Sequence, residues 1–369
     1  MAEPLCKYFG KCGGCALQHI DCPMQLESKK KSLLDAIHFS DIKIFSGKEY
    51  YYRNRMDMIF HPEGLGLRKK GEYLKIVDIE KCAISNDRLN VILKEVRDYF
   101  KNIDCFDLKK QSGTFRYAVI RTPSNDSSVS FVLNEESPKL SEAIEKIKDF
   151  AEKTSASNVV VAYVPKKTDE SVSENNFVVK GKDTLKEVYL GKEFLYSIQG
   201  FSQNNHEVAE KMHEYCNNIF KSHKTKEAVL LDLYGGIGTF GINNAELFKE
   251  VIIVESYKQS VESAKKNILI NNIKNAKAIE LDAKQLKKIE IKNQLFVLTD
   301  PPRSGMDQKT IEQLKKLRPK VIVYISCNVQ QLKKDIVKFK DYNIKSAALF
   351  DLFPQTWHSE VVVELVLKD

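Results

Sequence analysis

The sequence predicts an α/β protein in which a doubly wound parallel sheet forms the second half and a mixed α+β region precedes it. From about residue 196, short apolar runs alternate with stretches of helical spacing, and most runs end in a polar or glycine-rich motif. Alternation of strands and helices is typical of a parallel sheet with helices on both faces. Before residue 196, strands with glycine turns are mixed with amphipathic helices, which is typical of an α+β arrangement.

Length and composition limit the classes to which the chain can belong. Its 369 residues suggest about two or three domains, and we predict the segments 1–85, 86–195 and 196–369. A hydrophobic content of 43% with 29% charged residues is that of a globular protein, which excludes wholesale disorder and collagen-like repeats. The net charge of +8 allows a polyanionic partner without requiring one.

The sequence carries no signal for secretion or for a membrane. The N-terminus lacks a basic stretch followed by an apolar core, and the longest apolar runs, 158–164 and 361–367, are shorter than the ~20 residues that a spanning helix needs. We therefore expect a soluble, cytoplasmic protein with no obligate protein partner. Thiols stay reduced in that compartment, so clustered cysteines favour metal binding or catalysis over disulfides.

Periodicity predicts the elements of the first half. Apolar positions at helical spacing indicate helices over 24–38, 87–101 and 138–152, and polar–apolar alternation indicates a strand over 52–60. Further strands are expected at 115–121, 127–133 and 158–163, followed by a flexible loop over 165–176.

The second half opens with a helix predicted over 208–220. Buried-type strands are expected at 228–233, 251–254, 278–281, 295–299 and 321–326. The two last runs, 347–353 and 360–367, would close the sheet as a hairpin-like pair.

A glycine-rich turn, DLYGGIGTFG at 232–241, follows the first of these strands. Its glycines let the backbone turn tightly and approach a ligand at a helix N-terminus. Glu255, at the tip of the next strand, is placed to bind a ribose diol. Asp232 would repel the two phosphates of a nicotinamide dinucleotide but suits an ammonium group, which favours S-adenosylmethionine. Asp282 at the same rim is either an adenine-side ligand or a helix N-cap.

A cysteine, Cys327, follows the strand predicted over 321–326 and lies between Ser326 and Asn328. Catalytic groups of open α/β sheets lie at the carboxyl ends of strands. Helix N-termini lower the pKa of a nearby thiol, so we expect a nucleophilic thiolate at this position.

Two acids accompany the cysteine. Asp300 ends the preceding strand, and two prolines hold it and Arg303 at the rim of the sheet. Glu360 begins the last apolar strand, where partial burial would raise its pKa and suit it to act as a general base. A thiol nucleophile, a base and a methyl donor together fit alkylation at C5 of uracil, since addition of a thiolate to C6 makes C5 nucleophilic.

The chain resembles the RNA uridine-C5 methyltransferases, the family of the ribosomal and tRNA m5U enzymes, over nearly its whole length. The motifs that carry the resemblance are FSQNN at 201–205, DLYGGIG at 232–238, DPPR at 300–303, SCN at 326–328 and HSE at 358–360. The resemblance implies a Rossmann-like S-adenosylmethionine-dependent domain with Cys327 as nucleophile and Glu360 as base. It also implies a set of residues that line the cofactor pocket: Gln203, Tyr234, Thr239, Glu255, Asp282 and Asp300. The chain departs from the family at Val329, usually Pro, and at Gly235, usually Cys, which affects only local loop geometry.

The N-terminal segment holds a cysteine cluster. Cys6, Cys12 and Cys15 surround two glycines, and Cys82 supplies a distant fourth thiol, although Cys22 could compete for that place. Four cysteines suit either zinc or an iron–sulfur cluster. The resemblance implies a [4Fe-4S] cluster held by Cys6, Cys12, Cys15 and Cys82, as in the ribosomal enzymes. Cys105 and Cys216, like Cys22, have no assigned role.

An aromatic and basic segment, Tyr50-Tyr51-Tyr52-Arg53 with Arg55, is our candidate for RNA contact, because aromatics stack on bases and Arg holds phosphates. The target uridine would be flipped into the pocket. Many relatives begin with a β-barrel domain. A chain that has the cysteine cluster but not this domain resembles the shorter ribosomal enzymes, so 23S rRNA is favoured as the substrate. The T-loop uridine of tRNA remains the alternative substrate.

Two functions of other classes are also compatible with the motifs. A nicotinamide-dependent iron–sulfur oxidoreductase would use the glycine turn and the cysteine cluster for hydride chemistry, with no role for Cys327. A non-catalytic RNA-binding protein would keep the fold alone.

Overall fold

The structure, a computed structural model, describes residues 2–368 and consists of three sheets with eight α-helices in that range. The helices are α1 (Cys22–Ile37), α2 (Asp87–Tyr99), α3 (Leu140–Lys153), α4 (His206–Lys221), α5 (Thr239–Asn244), α6 (Lys258–Ile270), α7 (Gln308–Leu317) and α8 (Val329–Ile336). The strands are β1 (Ile42–Phe45), β2 (Arg55–His61), β3 (Gly64–Lys69), β4 (Glu72–Asp78), β5 (Phe115–Arg121), β6 (Ser128–Asn134), β7 (Asn158–Val164), β8 (Asn176–Lys180), β9 (Thr184–Tyr189), β10 (Lys192–Ser197), β11 (Val229–Leu233), β12 (Glu250–Glu255), β13 (Ala276–Glu280), β14 (Leu295–Thr299), β15 (Val321–Ser326), β16 (Tyr342–Phe350) and β17 (Glu360–Leu367). Two 3-10 helices cover Ala245–Leu247 and Ala283–Lys288.

The largest sheet has eight strands in the order β1-β16-β17-β15-β14-β11-β12-β13. Strands β11 to β15 are parallel to one another, whereas β17 runs antiparallel to both β15 and β16. The α/β class and the antiparallel pair at the end of the chain are therefore confirmed.

Helices cover both faces of this sheet. Buried residues of α4, α5 and α6 pack on one face, for example Val208, Ile242 and Val261. Buried residues of α1, α7 and α8 pack on the other face and include Leu33, Ile311 and Leu332. The sheet is thus doubly wound, and its strands consist largely of apolar residues because both faces are buried.

Strand β1 was not expected from the sequence. It pairs in parallel with β16 and forms one edge of the large sheet, so residues from the N-terminal segment complete the C-terminal sheet. Helix α1 packs against α8 and contacts β16. The domain boundaries that the sequence suggests at residues 85 and 195 remain predictions.

The second sheet has seven strands in the order β4-β3-β2-β5-β6-β7-β8 and is covered by α2 and α3. It is antiparallel except for the parallel pair β6 and β7, as expected of an α+β region. Strands β9 and β10 form a separate antiparallel pair that leads to the motif at 201–205. Among residues 2–368, no helix is both long and apolar enough to cross a bilayer.

Candidate active site

The carboxyl edge of the eight-stranded sheet gathers the residues that the motifs single out. Asp300 follows β14 and Cys327 follows β15, which run in parallel, so both lie at the same edge. Glu360 reaches this edge from the opposite direction, because β17 is antiparallel and begins there. Ser326 pairs with Val361 across the two strands, which puts Cys327 and Glu360 on adjacent strands at the end of the ladder.

The thiol of Cys327 is half-buried and lies in a negative environment. Burial, followed by the charges of Glu360 and Asp300, raises its pKa to about 11 against the opposing effect of Arg303. The expected lowering by a helix N-terminus is therefore wrong. The side chain of Asn328 caps α8 by accepting from the N–H groups of Gln330 and Gln331, so these donors are used by the cap.

Glu360 is buried, with 7% of its surface exposed. Burial raises its pKa well above the ordinary value, and the nearby Asp300 adds to this effect while Arg303 opposes it. The expected direction of the Glu360 shift is confirmed. Asp300 is partly exposed as a residue, yet desolvation of its carboxyl group raises its pKa to about 7.

Arg303 connects the loops on either side of the reacting groups. Its Nη2 lies 3.2 Å from Nδ1 of His358, two residues before Glu360. Its backbone oxygen accepts from Nδ2 of Asn328, the residue after Cys327, at 3.1 Å. The rim that the DPPR motif was expected to form is therefore tied to both the cysteine turn and the loop before Glu360.

The glycine-rich turn has the backbone that its composition predicts. Tyr234, Gly236 and Gly238 have positive φ angles of 57°, 53° and 86°. One carboxylate oxygen of Asp232 accepts from the N–H of Gly241 at 2.8 Å, and the other has no hydrogen-bond partner among the described residues. Burial raises the pKa of Asp232 to about 7 against the opposing effect of that hydrogen bond.

Two cavities flank this turn. The smaller, of about 120 Å³, is lined by Gln203, Tyr234, Thr239 and Asp300 among others. The larger, of about 430 Å³, is lined by Tyr234, Glu255 and Asp282. All six residues expected in the cofactor pocket therefore line one or both cavities, which meet at Tyr234.

The two strand-end acids also make local hydrogen bonds. Glu255 accepts from the N–H of Gly236 at 3.1 Å and from that of Tyr257 at 2.8 Å. Asp282 accepts from the N–H of Lys284 at 2.8 Å and caps the following 3-10 helix, so the N-cap alternative is realised while the residue still lines the larger cavity.

Sequence reasoning missed two aromatic residues at these cavities. Tyr257 lines the smaller cavity, and its hydroxyl donates to Glu174 in the loop between β7 and β8. Phe201 is 71% exposed and lines both the smaller cavity and the cavity of the cysteine segment. The signal for Tyr257 is its position two residues after Glu255, and that for Phe201 is the first position of the FSQNN motif.

The cysteine segment encloses a cavity of about 460 Å³ that Cys6, Cys12, Cys15 and Cys82 line together. Burial raises the pKa of Cys12 and raises that of Cys15 to about 12. Within residues 2–368, no three His, Cys, Asp or Glu side chains form a group that could hold a metal ion.

Cys22 does not line the cysteine cavity. It lies in the first turn of α1, where burial and the neighbouring Glu49 raise its pKa to about 12.

The aromatic and basic segment is only partly available to a ligand. Tyr52 is buried, and its hydroxyl donates to the backbone oxygen of Pro354 at 3.0 Å. Arg55 is paired with both carboxylate oxygens of Asp57. Tyr51 is exposed, Tyr50 is half-buried and Arg53 lines the cysteine cavity, so these three residues remain as the candidates for contact with RNA.

Comparison with known proteins gives a consistent result. The profile of the tRNA (Uracil-5-)-methyltransferase family matches residues 22–368. An uncharacterized RNA methyltransferase from Caldanaerobacter subterraneus is 33% identical over 98% of this chain and 84% of its own length. The tRNA (uracil(54)-C(5))-methyltransferase of Pyrococcus abyssi is 30% identical over 98% of this chain and 86% of its own.

One solved structure is similar over nearly the whole chain. It is the crystal structure of the Pyrococcus abyssi tRNA (uracil-54, C5)-methyltransferase in complex with S-adenosyl-L-homocysteine. The two structures superpose with a TM-score of 0.81 at 28% identity, covering 96% of this chain and 86% of the other.

Proposed function

The chain belongs to the tRNA (uracil-5-)-methyltransferase family, and from this membership we propose that it methylates uridine through a covalent adduct of Cys327, with Glu360 as the base. It is an S-adenosylmethionine-dependent RNA (uracil-C5)-methyltransferase. The observation that carries the two roles is the register of β15 and β17, which brings a thiol and a desolvated carboxyl group to adjacent strand ends.

The proposed reaction has three steps. The thiolate Sγ of Cys327 bonds to C6 of the uracil, and the electrons of the C5–C6 double bond move toward O4 as an enolate. C5 then bonds to the methyl group, whose bond to sulfur breaks and leaves S-adenosylhomocysteine. Glu360 removes the proton from C5, the double bond re-forms, and the Cys327 thiolate leaves as the C6–S bond breaks.

The electrostatics of the site suit the last step. A carboxylate with a raised pKa is a stronger base, and burial raises that of Glu360. The Cys327 thiol is mostly protonated at neutral pH before the uracil binds, because its pKa is about 11. We therefore infer that it loses its proton to solvent only as the uracil enters the pocket, with Arg303 countering the charge of the thiolate.

S-adenosylmethionine supplies the electrophilic methyl group when it is bound. We propose that Gln203, Tyr234, Thr239 and Asp300 hold its reacting end and that Glu255 and Asp282 hold its nucleoside end, as their two cavities suggest. The unpartnered oxygen of buried Asp232 supports a cationic ligand beside the glycine turn.

The roles of Cys327 and Glu360 can be tested by trapping. With RNA and S-adenosylmethionine, Glu360→Gln should accumulate a covalent protein–RNA adduct on a denaturing gel, because the proton at C5 cannot be removed. Cys327→Ala should form neither adduct nor product. Normal turnover of Glu360→Gln without an adduct would show that the base is another group.

For the substrate, we propose a uridine of 23S rRNA, which the cysteine pattern favours by its resemblance to the ribosomal enzymes. The T-loop uridine of tRNA is the second candidate, because the relatives named for a substrate act on uracil 54 of tRNA. Mapping of 5-methyluridine by mass spectrometry in rRNA and tRNA, with and without the gene, distinguishes the two. Loss of the modification from tRNA alone would reject the ribosomal substrate.

We propose that Cys6, Cys12, Cys15 and Cys82 hold a [4Fe-4S] cluster. The four thiols line one cavity of about 460 Å³, and Arg53, Arg55 and Arg68 also line it, which suits a cluster bound by four thiolates. In such a cluster each thiolate binds a different iron atom, so the ligands need not converge on one point as they do around a single metal ion. When bound, the cluster would supply positive charge to thiolates that burial otherwise disfavours.

The cluster is tested by its composition. Protein purified without oxygen should contain iron and acid-labile sulfide, and Cys15→Ser or Cys82→Ser should lose both. Cys22→Ser and Cys105→Ser serve as matched controls and should keep the iron. Zinc in place of iron, or loss of iron in Cys22→Ser but not in Cys82→Ser, would reject this assignment.

A further inference from the structure

The loop Asp351–Ser359 connects β16 to β17 and ends directly before Glu360; we call it the base loop. We propose that α1 and the turn before it brace the base loop, and that Gln25 and Lys29 are positioning residues for proton removal at C5. This inference rests on the proposed role of Glu360.

Backbone hydrogen bonds join the base loop to the N-terminal segment. The N–H groups of Ala16 and Leu17 both donate to the backbone oxygen of Gln355, at 2.9 and 3.0 Å. Gln355 is buried and has a φ of 68°, a left-handed conformation that a residue other than glycine seldom adopts. Such a conformation persists only where the surrounding structure determines it, and here the determinants come from residues more than 300 positions away.

Gln25 is the centre of this contact. Its Nε2 lies 3.0 Å from Oε1 of Gln355, 3.1 Å from the oxygen of Leu17 and 2.8 Å from that of Ile20. Its Oε1 accepts from the backbone N–H of Gln355 at 3.1 Å. One buried amide therefore binds the turn before α1 and both the backbone and the side chain of Gln355 in the base loop.

Lys29, one turn further along α1, holds the start of the base loop. Its Nζ donates to Oδ1 of Asp351 at 2.6 Å and to the oxygen of Phe353 at 3.3 Å. The two charged side chains are only 2% and 1% exposed. A charge pair at this depth is held in one geometry, because either partner alone would be a buried uncompensated charge.

The brace acts on the part of the loop that leads to Glu360. Oγ1 of Thr356 donates to the oxygen of Phe353 at 2.8 Å and accepts from the N–H of His358 at 3.2 Å, so the loop is continuous from its braced part to the base. The side-chain hydrogen bonds of Gln25 and Lys29 go to the base loop and to the turn before α1. The turn of Cys327 is held separately by Arg303, which contacts the base loop only at its far end, at His358.

This separation predicts a specific kinetic defect. Loosening the base loop should misplace Glu360 while it leaves the attack by Cys327 largely intact. Small displacements of a catalytic group cost large factors in rate. Formation of the adduct would then be faster than removal of the proton from C5, so the enzyme would accumulate as the covalent RNA adduct.

The test compares Gln25→Leu, which keeps size but loses the amide, with Gln313→Leu as a matched control. Gln313 also bridges a helix to a neighbouring segment, through the oxygen of Lys284 and the N–H of Lys287, and these partners lie outside the base loop. We expect Gln25→Leu to lower kcat about tenfold, to raise the adduct fraction several-fold, and to leave the KM for S-adenosylmethionine unchanged. Gln313→Leu should match the unaltered enzyme in all three.

A second variant and a positive control make the result decisive. Gln25→Asn keeps the amide but shortens its reach, so it tests the brace if Gln25→Leu fails to fold, as judged by circular dichroism. Unchanged kinetics in the folded variants, or slow turnover without extra adduct, would overturn the brace. Absence of an adduct in Glu360→Gln would instead overturn the base assignment on which the brace depends.

Discussion

At the scale of single residues, Cys327, the proposed nucleophile, lies in position for the reaction before its thiol is ionised. The strand register places its thiol at the catalytic edge, yet burial and the carboxyl groups of Glu360 and Asp300 raise its pKa to about 11. The thiol is therefore protonated at neutral pH before substrate binds, and a protonated thiol reacts slowly with oxidants and alkylating agents.

Replacing Asp300 should make this thiol more acidic. Asp300 is ionised above its pKa of about 7, and its charge raises the pKa of Cys327. In Asp300→Asn that charge is absent, so the pH at which Cys327 becomes half-reactive should fall by about one pH unit. This shift is measured from the rate at which iodoacetamide alkylates Cys327 between pH 7 and about 11, followed by mass spectrometry of the peptide that contains it.

Asp282→Asn provides the control for this measurement, because Asp282 is not among the groups that shift the Cys327 pKa. An identical pH profile in Asp300→Asn and in the unaltered enzyme would mean that Asp300 does not act on the thiol.

The sequence predicted that each reactive residue lies at a strand end. It did not predict the charges and hydrogen bonds of the groups around it. Asp300, Cys327 and Glu360 could be assigned because motifs at the ends of parallel strands meet at one edge. The pKa of Cys327 could not be assigned, since it depends on how closely residues from three strands approach. The sequence also did not show that Asn328 caps α8, so that the N–H groups of this helix are bound by Asn328 and do not lower the pKa of the Cys327 thiol.

At the scale of elements, α1 is attached to the catalytic half by a buried ion pair. Removing only Lys29 would leave Asp351 buried without its cation, and Lys29 lowers the pKa of that carboxyl against the raising effect of burial. We expect Lys29→Met to reduce the free energy of unfolding by about 3 kcal/mol near neutral pH. Urea denaturation followed by circular dichroism measures this loss.

The same pair predicts a partial rescue. In Lys29→Met/Asp351→Leu no charge is left buried, so the double variant should be more stable than Lys29→Met. The defect of Lys29→Met should also shrink as the pH falls, because protonation of Asp351 removes the buried charge. A double variant less stable than the single one would contradict the ion-pair explanation.

Elements with strong periodicity were predictable, and short ones were not. The helix expected over 24–38 is observed as Cys22–Ile37, and the five parallel strands were all anticipated. Strand β1 was missed because it has four residues, no alternation of buried and exposed positions, and a partner at the other end of the chain. Strands β8, β9 and β10 were missed because they have only five or six residues, and β9 buries the charged Glu187 at a position where an apolar residue would signal a strand.

At the scale of the whole molecule, the two ends of the chain share one sheet. Phe45 of β1 stacks on Phe350 of β16 with ring centroids 4.8 Å apart and lies edge-on to Tyr215 at 5.5 Å. Strand β1 should therefore unfold together with the catalytic sheet rather than fray independently.

Phe45→Ala tests this cooperativity. We expect a loss of about 2 kcal/mol in the free energy of unfolding of the whole chain, since aromatic packing in the sheet is removed. Phe177→Ala, at the exposed edge strand β8, should cost less than half as much. If hydrogen-exchange protection were lost in β1 alone while the unfolding transition of the whole chain was unchanged, β1 would not unfold cooperatively with the catalytic sheet.

The position of β1 also has a consequence for the order in which the chain is made. A ribosome releases β1 about 300 residues before its partner β16, which at 5–20 residues per second is a delay of roughly 15 to 60 seconds. Throughout that interval the apolar faces of α1 and β1, with Leu33 and Ile42, have no sheet to cover them. All strands of the seven-stranded sheet have been synthesised once the chain reaches Lys180, so this sheet can fold first. Helix α1 and strand β1 can pack in their final positions only after the last strands of the chain have been synthesised.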